Sequence, residues 1–322
     1  MAKPAINLMF QSVFTTSNRR KSPWRFLFGL VVLGLVGFTV PVANAVPSQK
    51  QARAAIARMP GFELAGSALR IKSVSATSAV AAEVTADLQA IFRFEKDKEG
   101  SWRVAQVRTR PDYWEDITLV AMALGSAAIP GDCTALDPPI KNPLATDPSV
   151  KRARCLLGSL LRVQLPSDTI RIQEVTPFAV PVAPQPSSLV ATWIRVEARL
   201  LNGQKGWQVG ELRIGKGEWV KLDSLVATLN ELKQQRARAE LESIARALEL
   251  FRRERGFYVV SDEHAVAIDH LNPRYLPQVI RVDPWHQPYK YAGQRDHYNL
   301  RSVGPDGKDN TADDITLTSP SR

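Results

Sequence analysis

The feature that most restricts the fold of this chain is a duplication in its middle part. Residues 53–74 match residues 154–175 at an offset of 101, and residues 102–124 match residues 207–229 at an offset of 105. The matched residues are Arg53, Ile56, Met59, Leu64, Arg70, Ile71 and Val74 with Arg154, Leu157, Leu160, Leu165, Arg171, Ile172 and Val175, then Trp102, Val104, Val107, Arg108, Trp114, Ile117 and Leu124 with Trp207, Val209, Leu212, Arg213, Trp219, Leu222 and Leu229. Both copies must therefore fold as the same supersecondary unit.

Each copy has the same predicted order: a short helix, a strand, a hairpin and a final helix. The predicted helices are 51–59, 114–124, 151–161 and 219–229, and the predicted strands are 69–74, 84–94, 102–108, 170–175, 189–200 and 207–214. Turn sequences at 97–100 and 202–206 join the hairpin strands. We expect Trp102 and Trp207 to pack in the core, with ligand clefts as the alternative. The pattern predicts an α+β fold of duplicated helix-plus-antiparallel-sheet modules.

The last helix of the second copy extends into the C-terminal region. Residues 222–251 contain no glycine or proline, and their apolar residues recur near helical spacing. We therefore predict one continuous helix that joins the duplicated region to the C-terminal region.

The first 45 residues have the three regions of a secretory signal peptide. A basic segment at 19–25 precedes an apolar segment at 26–40, and residues 43–45 form an A-x-A cleavage pattern. We expect export, cleavage after Ala45 and a periplasmic or cell-envelope location. The alternative is an inner-membrane anchor at 26–42, and membrane contact is expected only in that case; three glycines and one proline make this segment marginal for a span.

The charge of the chain argues against nucleic-acid binding. The net charge is +10, and residues 1–45 contain five basic and no acidic residues, so the remainder carries +5. These charges are spread along the chain without the arginine-rich stripe that neutralises phosphates.

Cys133 and Cys155 are the two cysteines. In an exported protein they predict a disulfide, with two buried thiols as the alternative.

An acidic loop near the end of the chain has the composition of a calcium site. Asp306, Asp309, Asp313 and Asp314 fall within nine residues, and Gly304, Pro305 and Gly307 make the backbone turn sharply. Hard carboxylate oxygens brought to one point are the ligands that calcium prefers. The alternative is a solvated acidic turn, since D-G and N-T are ordinary turn sequences.

The motifs before this loop are also ordered in a specific way. An amphipathic helix is followed by Gly256-Phe-Tyr258, then by D-P-W-x-x-P-Y-x-Y at 283–291 and by S-x-G-P-D-G-x(5)-D-D-I at 302–315. Over about 237–317 this order resembles the C-terminal domain of the major pseudopilin of type II secretion systems. The resemblance implies a long helix packed on a small antiparallel sheet and a bound calcium ion. It assigns as ligands Asp306, Asp313, Asp314 and a backbone carbonyl at Val303, with Asp309 as an outer charge.

Two departures from the family pattern have consequences. His286 occupies a position where the family usually has glycine, so we expect a different turn after Trp285. A pseudopilin also needs an apolar N-terminal helix, whereas residues 228–242 here are too polar to enter a bilayer. The chain therefore resembles a pseudopilin C-terminal domain, called the head (residues 229–322), that is attached to a different N-terminal region, called the base (residues 46–228). We do not expect it to polymerise as a pseudopilin subunit does.

The residue patterns do not favour catalysis. The four histidines, His264, His270, His286 and His297, form no H-E-x-x-H pattern, and no G-x-S-x-G motif or phosphate-binding glycine loop occurs. We expect His264 and His270 to be solvated in a polar loop. Asp283, Pro284 and Trp285 are interpreted as structural, with the Trp packed on the helix.

We predict five segments: a signal peptide at 1–45, repeat 1 at 46–128, a Pro-rich linker at 129–149, repeat 2 at 150–228 and a pseudopilin-G-like domain at 229–322. The predicted function is a non-enzymatic, calcium-stabilised scaffold of the bacterial envelope. Its expected partners are envelope or secretion-system proteins. The alternative is a periplasmic ligand-binding protein or hydrolase with its pocket between the duplicated modules.

Overall fold

A computed structural model describes residues 46–97, 100–125, 133, 148–176 and 187–320. The predicted signal peptide and most of the predicted linker lie outside these residues. The fold is α+β, as predicted, with five helices and two antiparallel sheets in the described part of the chain.

The first sheet has eight strands and contains both copies. The strands are β1 (Leu69–Ser78), β2 (Ala81–Lys96), β3 (Trp102–Arg110), β4 (Tyr113–Asp116), β5 (Arg171–Thr176), β6 (Ser187–Gly203), β7 (Gly206–Ile214) and β8 (Val220–Lys221). Their order in the sheet is β4-β3-β2-β6-β7-β8, while β1 also pairs with β2 and β5 with β6. The two long central strands, β2 and β6, pair continuously from Ala81 opposite Leu201 to Glu95 opposite Ser187. The two halves thus share one sheet.

Helices cover one face of this sheet. They are α1 (Gln49–Ala57), α2 (Ile117–Ala123), α3 (Val150–Leu161) and the first half of α4 (Leu222–Arg255). Ser48 begins α1 with a capping box, in which its hydroxyl and the Gln51 side chain exchange hydrogen bonds with each other's backbone N–H. The inward residues of β2 are apolar and buried, among them Val84, Phe92 and Phe94. The predicted period-two pattern is therefore confirmed.

The opposite face of the sheet is polar and internally paired. Trp114 lies beneath the guanidinium of Arg93, and Trp219 lies beneath that of Arg199, at 4.3 and 3.9 Å from the ring centroids. Arg213 pairs with Glu197 beside them. These stacked and ion-paired side chains satisfy one another at the surface.

The predicted disulfide is present. Cys155 on α3 bonds to Cys133, and their Cα atoms are 6.0 Å apart. The bridge attaches the segment between the copies to a helix that packs in the core.

Helix α4 is continuous, as predicted, and has 34 residues. At 1.5 Å per residue it is about 51 Å long. Its first half packs against α2, β7 and β8, and its second half packs in the C-terminal core through residues such as Leu241, Leu248 and Phe251. Gly256 ends the helix at φ 80°, and its N–H donates to the carbonyl of Arg252.

The C-terminal region adds α5 (His264–Leu271) and a three-stranded sheet in the order β11-β10-β9. These strands are β9 (Lys290–Gly293), β10 (Tyr298–Ser302) and β11 (Ile315–Thr318). Two buried tyrosines connect the region of β9 to α4 and to the segment that follows α4. Tyr289 donates to Glu240 on α4 at 2.8 Å, and Tyr291 on β9 donates to the carbonyl of Val259, after the end of α4, at 2.6 Å. Within the described residues, none of the helices is both long and apolar enough to span a membrane.

Candidate cation site and its link to the long helix

The acidic loop connects β10 to β11. Gly304, Gly307 and Asn310 adopt left-handed backbone conformations, with φ between 64° and 66°. At Gly304 an added Cβ would lie 2.5 Å from the Asp313 carbonyl oxygen and 2.8 Å from its carboxylate. Glycine is therefore required there because the start of the loop closes directly against Asp313. This contact also brings the neighbouring Val303, whose side chain is buried, to the acidic end of the loop.

Three of the four carboxylates converge on one hydroxyl. The Thr311 Oγ1 atom lies 2.7 Å from Asp313 Oδ1, 3.2 Å from Asp314 Oδ1 and 3.3 Å from Asp306 Oδ1. The carbonyl oxygen of Lys308 is 3.2 Å from the same atom. A hydroxyl has a single proton and can donate it to only one of these four acceptors. The other three acceptors therefore receive no proton from Thr311.

Backbone groups satisfy only part of this negative charge. The N–H groups of Lys308, Asp306 and Asn310 donate to Asp306, Asp313 and Asp314 respectively, at 2.8, 3.1 and 2.9 Å. The Thr311 hydroxyl, and after it the Asp306 N–H, hold the pKa of the Asp313 carboxyl below its ordinary value. These hydrogen bonds therefore favour the ionised form of Asp313.

Asp309 points to a different set of partners. Its carboxylate accepts from Arg301 at 2.7 Å and lies 3.4 Å from the Lys290 ammonium. Asp309 is thus neutralised by two side chains of the neighbouring strands, whereas Asp306, Asp313 and Asp314 meet around Thr311.

The loop contains oxygen atoms of the chemical kind that bind hard divalent cations. Three carboxylates, a hydroxyl and nearby carbonyls are oxygen ligands of the kind that calcium takes in sixes to eights. Within the part of the chain that the structure describes, no group of three or more His, Cys, Asp or Glu side chains is placed so that it could hold a metal ion. In the loop, the Thr311 hydroxyl lies among the three carboxylates.

Asp283 connects this loop to the D-P-W turn. It is buried, and its Oδ1 accepts from the N–H groups of Trp285 and Gln287 at 3.0 and 2.9 Å. Its Oδ2 accepts from the Ser302 hydroxyl at 2.6 Å, and that hydroxyl accepts from Gly304 N–H at 3.2 Å. A chain of hydrogen bonds therefore runs from the acidic loop to this turn.

The D-P-W turn contacts both α4 and the duplicated region. Trp285 Nε1 donates to Asn230 on α4 at 3.0 Å, in agreement with the structural role predicted for this Trp. The ring of His286 meets the edge of Tyr113 at 5.3 Å between centroids. His286 has a left-handed backbone conformation, at φ 67°, which glycine adopts more readily than histidine.

A buried ion pair lies at the same junction. The Lys233 ammonium on α4 is 2.7 Å from the Glu115 carboxylate of β4, with side-chain exposures of only 6% and 13%. Sequence reasoning did not find this pair, because its members are more than a hundred residues apart. A lysine among the apolar positions of α4 was the available signal.

The histidine expectation is wrong for His264. It begins α5 and is buried, and its Nε2 lies 2.8 Å from the Ile280 carbonyl oxygen. The segment forms a helix whose apolar residues Ala267, Ile268 and Leu271 enter the core, which carries His264 inward with them. Burial lowers the pKa of His264, and burial likewise lowers that of His286.

The hairpin tryptophans differ from each other. Trp102 is buried in the core, as predicted. Trp207 is partly buried and packs against the core. It also lines a cleft of about 670 Å³ between α1 and the β6–β7 turn, where Arg58, Lys205 and Asp223 are the charged residues.

These observations define a class: a long helix packed on a small antiparallel sheet, with an acidic loop at the sheet edge. Residues 224–318 match the family model for type II secretion system (T2SS) protein G. The match confirms the resemblance found in the sequence, and it includes the polar first half of α4. No curated protein and no solved structure matches this chain.

Proposed function

We propose that this protein is an exported, calcium-stabilised scaffold of the bacterial envelope that works with a type II secretion system or a related pilus-like assembly. The observation that carries the proposal is the match to protein G over residues 224–318, which indicates an association with type II secretion. Its partners are then envelope or secretion-system proteins, and its role is contact rather than chemistry.

The proposed scaffold does not polymerise as a pseudopilin does. The helix half that should pack with other subunits is polar here, and α2 and β7 already cover it. Leu222, Leu225 and Lys233 of this half are buried against the duplicated region. Freeing this surface would expose apolar side chains and leave Glu115 without its partner, which is costly.

Calcium is proposed as the ion of the acidic loop, with Asp306, Asp313, Asp314 and the Val303 carbonyl as ligands. Support comes from the convergence of the three carboxylates on Thr311 and from the closure of Gly304 against Asp313. A bound divalent cation would supply the positive charge that the single Thr311 proton cannot.

The base is proposed to have arisen by duplication of one module. Besides the sequence offsets, this is supported by the shared order of helix, strand and hairpin in the two halves. The pairing of equivalent central strands, β2 with β6, also supports it. The base then positions the head rigidly through α4.

A ligand-binding role for the base is the second candidate. The cleft beside Trp207 favours it, because α1 comes from the first half and the β6–β7 turn from the second. Thermal unfolding of the wild type and of Trp207→Ala in the presence of periplasmic small molecules tests this. A compound that stabilises only the wild type supports it, and a screen without such a compound removes it.

The scaffold proposal is tested by affinity purification from envelope fractions. The wild type should enrich secretion-system or pilus-like components over an unrelated exported protein of similar charge. The wild type should also fail to restore secretion in a strain that lacks its major pseudopilin. Restored secretion, or a pull-down without any such component, would contradict the proposal.

A further inference from the structure

Arg301 places a fixed positive charge against the acidic loop. It lies on β10, and its Nη2 donates to Asp309 Oδ1 at 2.7 Å while its Nη1 donates to Asn310 Oδ1 at 2.7 Å. The same Nη1 is 3.4 Å from Asp314 Oδ2. One guanidinium therefore contacts three parts of the loop.

Asp314 receives charge compensation from this arginine in the absence of a metal. The Asp314 side chain is only 8% exposed, so water solvates it poorly. Its Oδ2 faces Arg301 and the Asn310 N–H, while its Oδ1 faces Thr311. A nearly buried carboxylate without a counter-ion would strongly disfavour the folded loop.

Resting on the proposed calcium site, we propose that Arg301 is an internal counter-ion that replaces calcium in the metal-free loop and thereby lowers its calcium affinity. Asp314 is at once the contact of the guanidinium and a proposed calcium ligand. Arginine stays charged at every relevant pH, so loss of a proton cannot remove its positive charge when calcium binds. A divalent ion that binds near it is repelled by this charge.

Two opposite effects are expected from removing the arginine. The calcium-free loop should lose stability, because Asp309 and Asp314 lose a shared cation. Calcium should bind more tightly, by about three- to tenfold, because one repulsive unit charge a few ångströms away is gone. If Arg301 only held the loop in shape, its removal would weaken calcium binding instead.

The experiment compares the wild type with Arg301→Gln and with a matched control, Lys308→Gln. Lys308 carries the same charge in the same loop, but among the described contacts its ammonium forms no ion pair and acts on Asp313 only at longer range. Calcium titration by calorimetry gives the dissociation constant, and thermal unfolding in chelator gives the calcium-free stability.

We expect Arg301→Gln to unfold at a lower temperature than wild type in chelator and to bind calcium more tightly, while Lys308→Gln changes both quantities less. Unchanged or weaker calcium binding by Arg301→Gln, with a wild type that does bind, would overturn the inference and leave the calcium site intact. If neither the wild type nor any variant binds calcium, the proposed calcium site is wrong, and the proposed competition between Arg301 and calcium is wrong with it. An equal effect of the two substitutions would also overturn the role of Arg301.

Discussion

Gly304 and Gly307 have nearly the same backbone conformation in different surroundings. Both lie near φ 65°, but an added Cβ at Gly307 would meet only the Gln287 side chain, at 3.8 Å or more. The left-handed conformation alone disfavours alanine by roughly 1–2 kcal/mol. A clash with the Asp313 backbone adds to that cost only at Gly304.

We therefore predict that Gly304→Ala destabilises the protein by about 2–4 kcal/mol and Gly307→Ala by about 1 kcal/mol. Urea unfolding of the two variants and the wild type measures the difference. Equal losses would show that the loop does not close on Asp313.

His264 makes the stability of the protein depend on pH. Burial lowers its pKa below the ordinary value of 6.5, and the positive charge of Arg281 acts in the same direction, although the bond to the Ile280 carbonyl opposes them. The Nδ1 atom has no partner in the described structure, and the Tyr289 ring packs nearby. The unfolded chain takes up a proton at a pH where the folded chain does not.

We predict that the free energy of unfolding is fully retained above pH 6.5 and falls as the pH decreases below it. His264→Asn should flatten this dependence, and His264→Asn combined with His286→Asn should flatten it further, because both histidines have a lowered pKa. Urea unfolding between pH 7.5 and 5.5 measures the slopes. A slope that is identical in all three proteins would contradict the prediction.

At the scale of elements, α4 connects two cores and contributes a buried charge to the first. Lys233 and Glu115 are both nearly inaccessible, so removing one leaves the other without compensation. We predict that Lys233→Met costs roughly 3 kcal/mol, while the double variant with Glu115→Gln loses less than the two single substitutions together.

The exposed pair of Arg246 and Glu242 on the same helix provides the control. Arg246→Met should change the free energy of unfolding by no more than about 1 kcal/mol. If Lys233→Met costs no more than this control, the junction between α4 and the base is weaker than its geometry indicates.

Elements with strong local patterns could be predicted from the sequence. The hairpin strands are indicated by alternating apolar residues, and α4 is indicated by thirty residues without a helix breaker. The pairing of β2 with β6 could not be predicted, because an alternating apolar pattern shows which face of a strand is buried but not which strand lies beside it. The burial of His264 depends on α5 packing into a distant core, which local composition does not show.

The candidate cation site also has some features that the sequence shows and others that depend on the fold. Its acidic residues and glycines are close together along the chain, so the sequence shows them directly. The role of Thr311 as the meeting point of three carboxylates depends on the folded loop, and so does the approach of Arg301 from the neighbouring strand. Threonine is common in turns and arginine is common in exposed strands, so neither residue type alone indicates these contacts.

At the scale of the whole molecule, one continuous helix, α4, connects the duplicated region to the protein G-like C-terminal region. The head is proposed to need calcium, and the base is proposed to prevent polymerisation. Extracellular calcium modules bind at roughly 0.1–1 mM, so calcium at about 1 mM should add roughly 0.4–1.4 kcal/mol of stability. Such a gain raises the unfolding temperature by a few degrees.

The most direct test is thermal unfolding of the protein in millimolar calcium and in chelator, with Asp314→Ala measured alongside. The wild type should unfold a few degrees higher in calcium, and Asp314→Ala should unfold at the same temperature in both conditions. Identical unfolding of the wild type in calcium and in chelator would contradict the calcium-stabilised head.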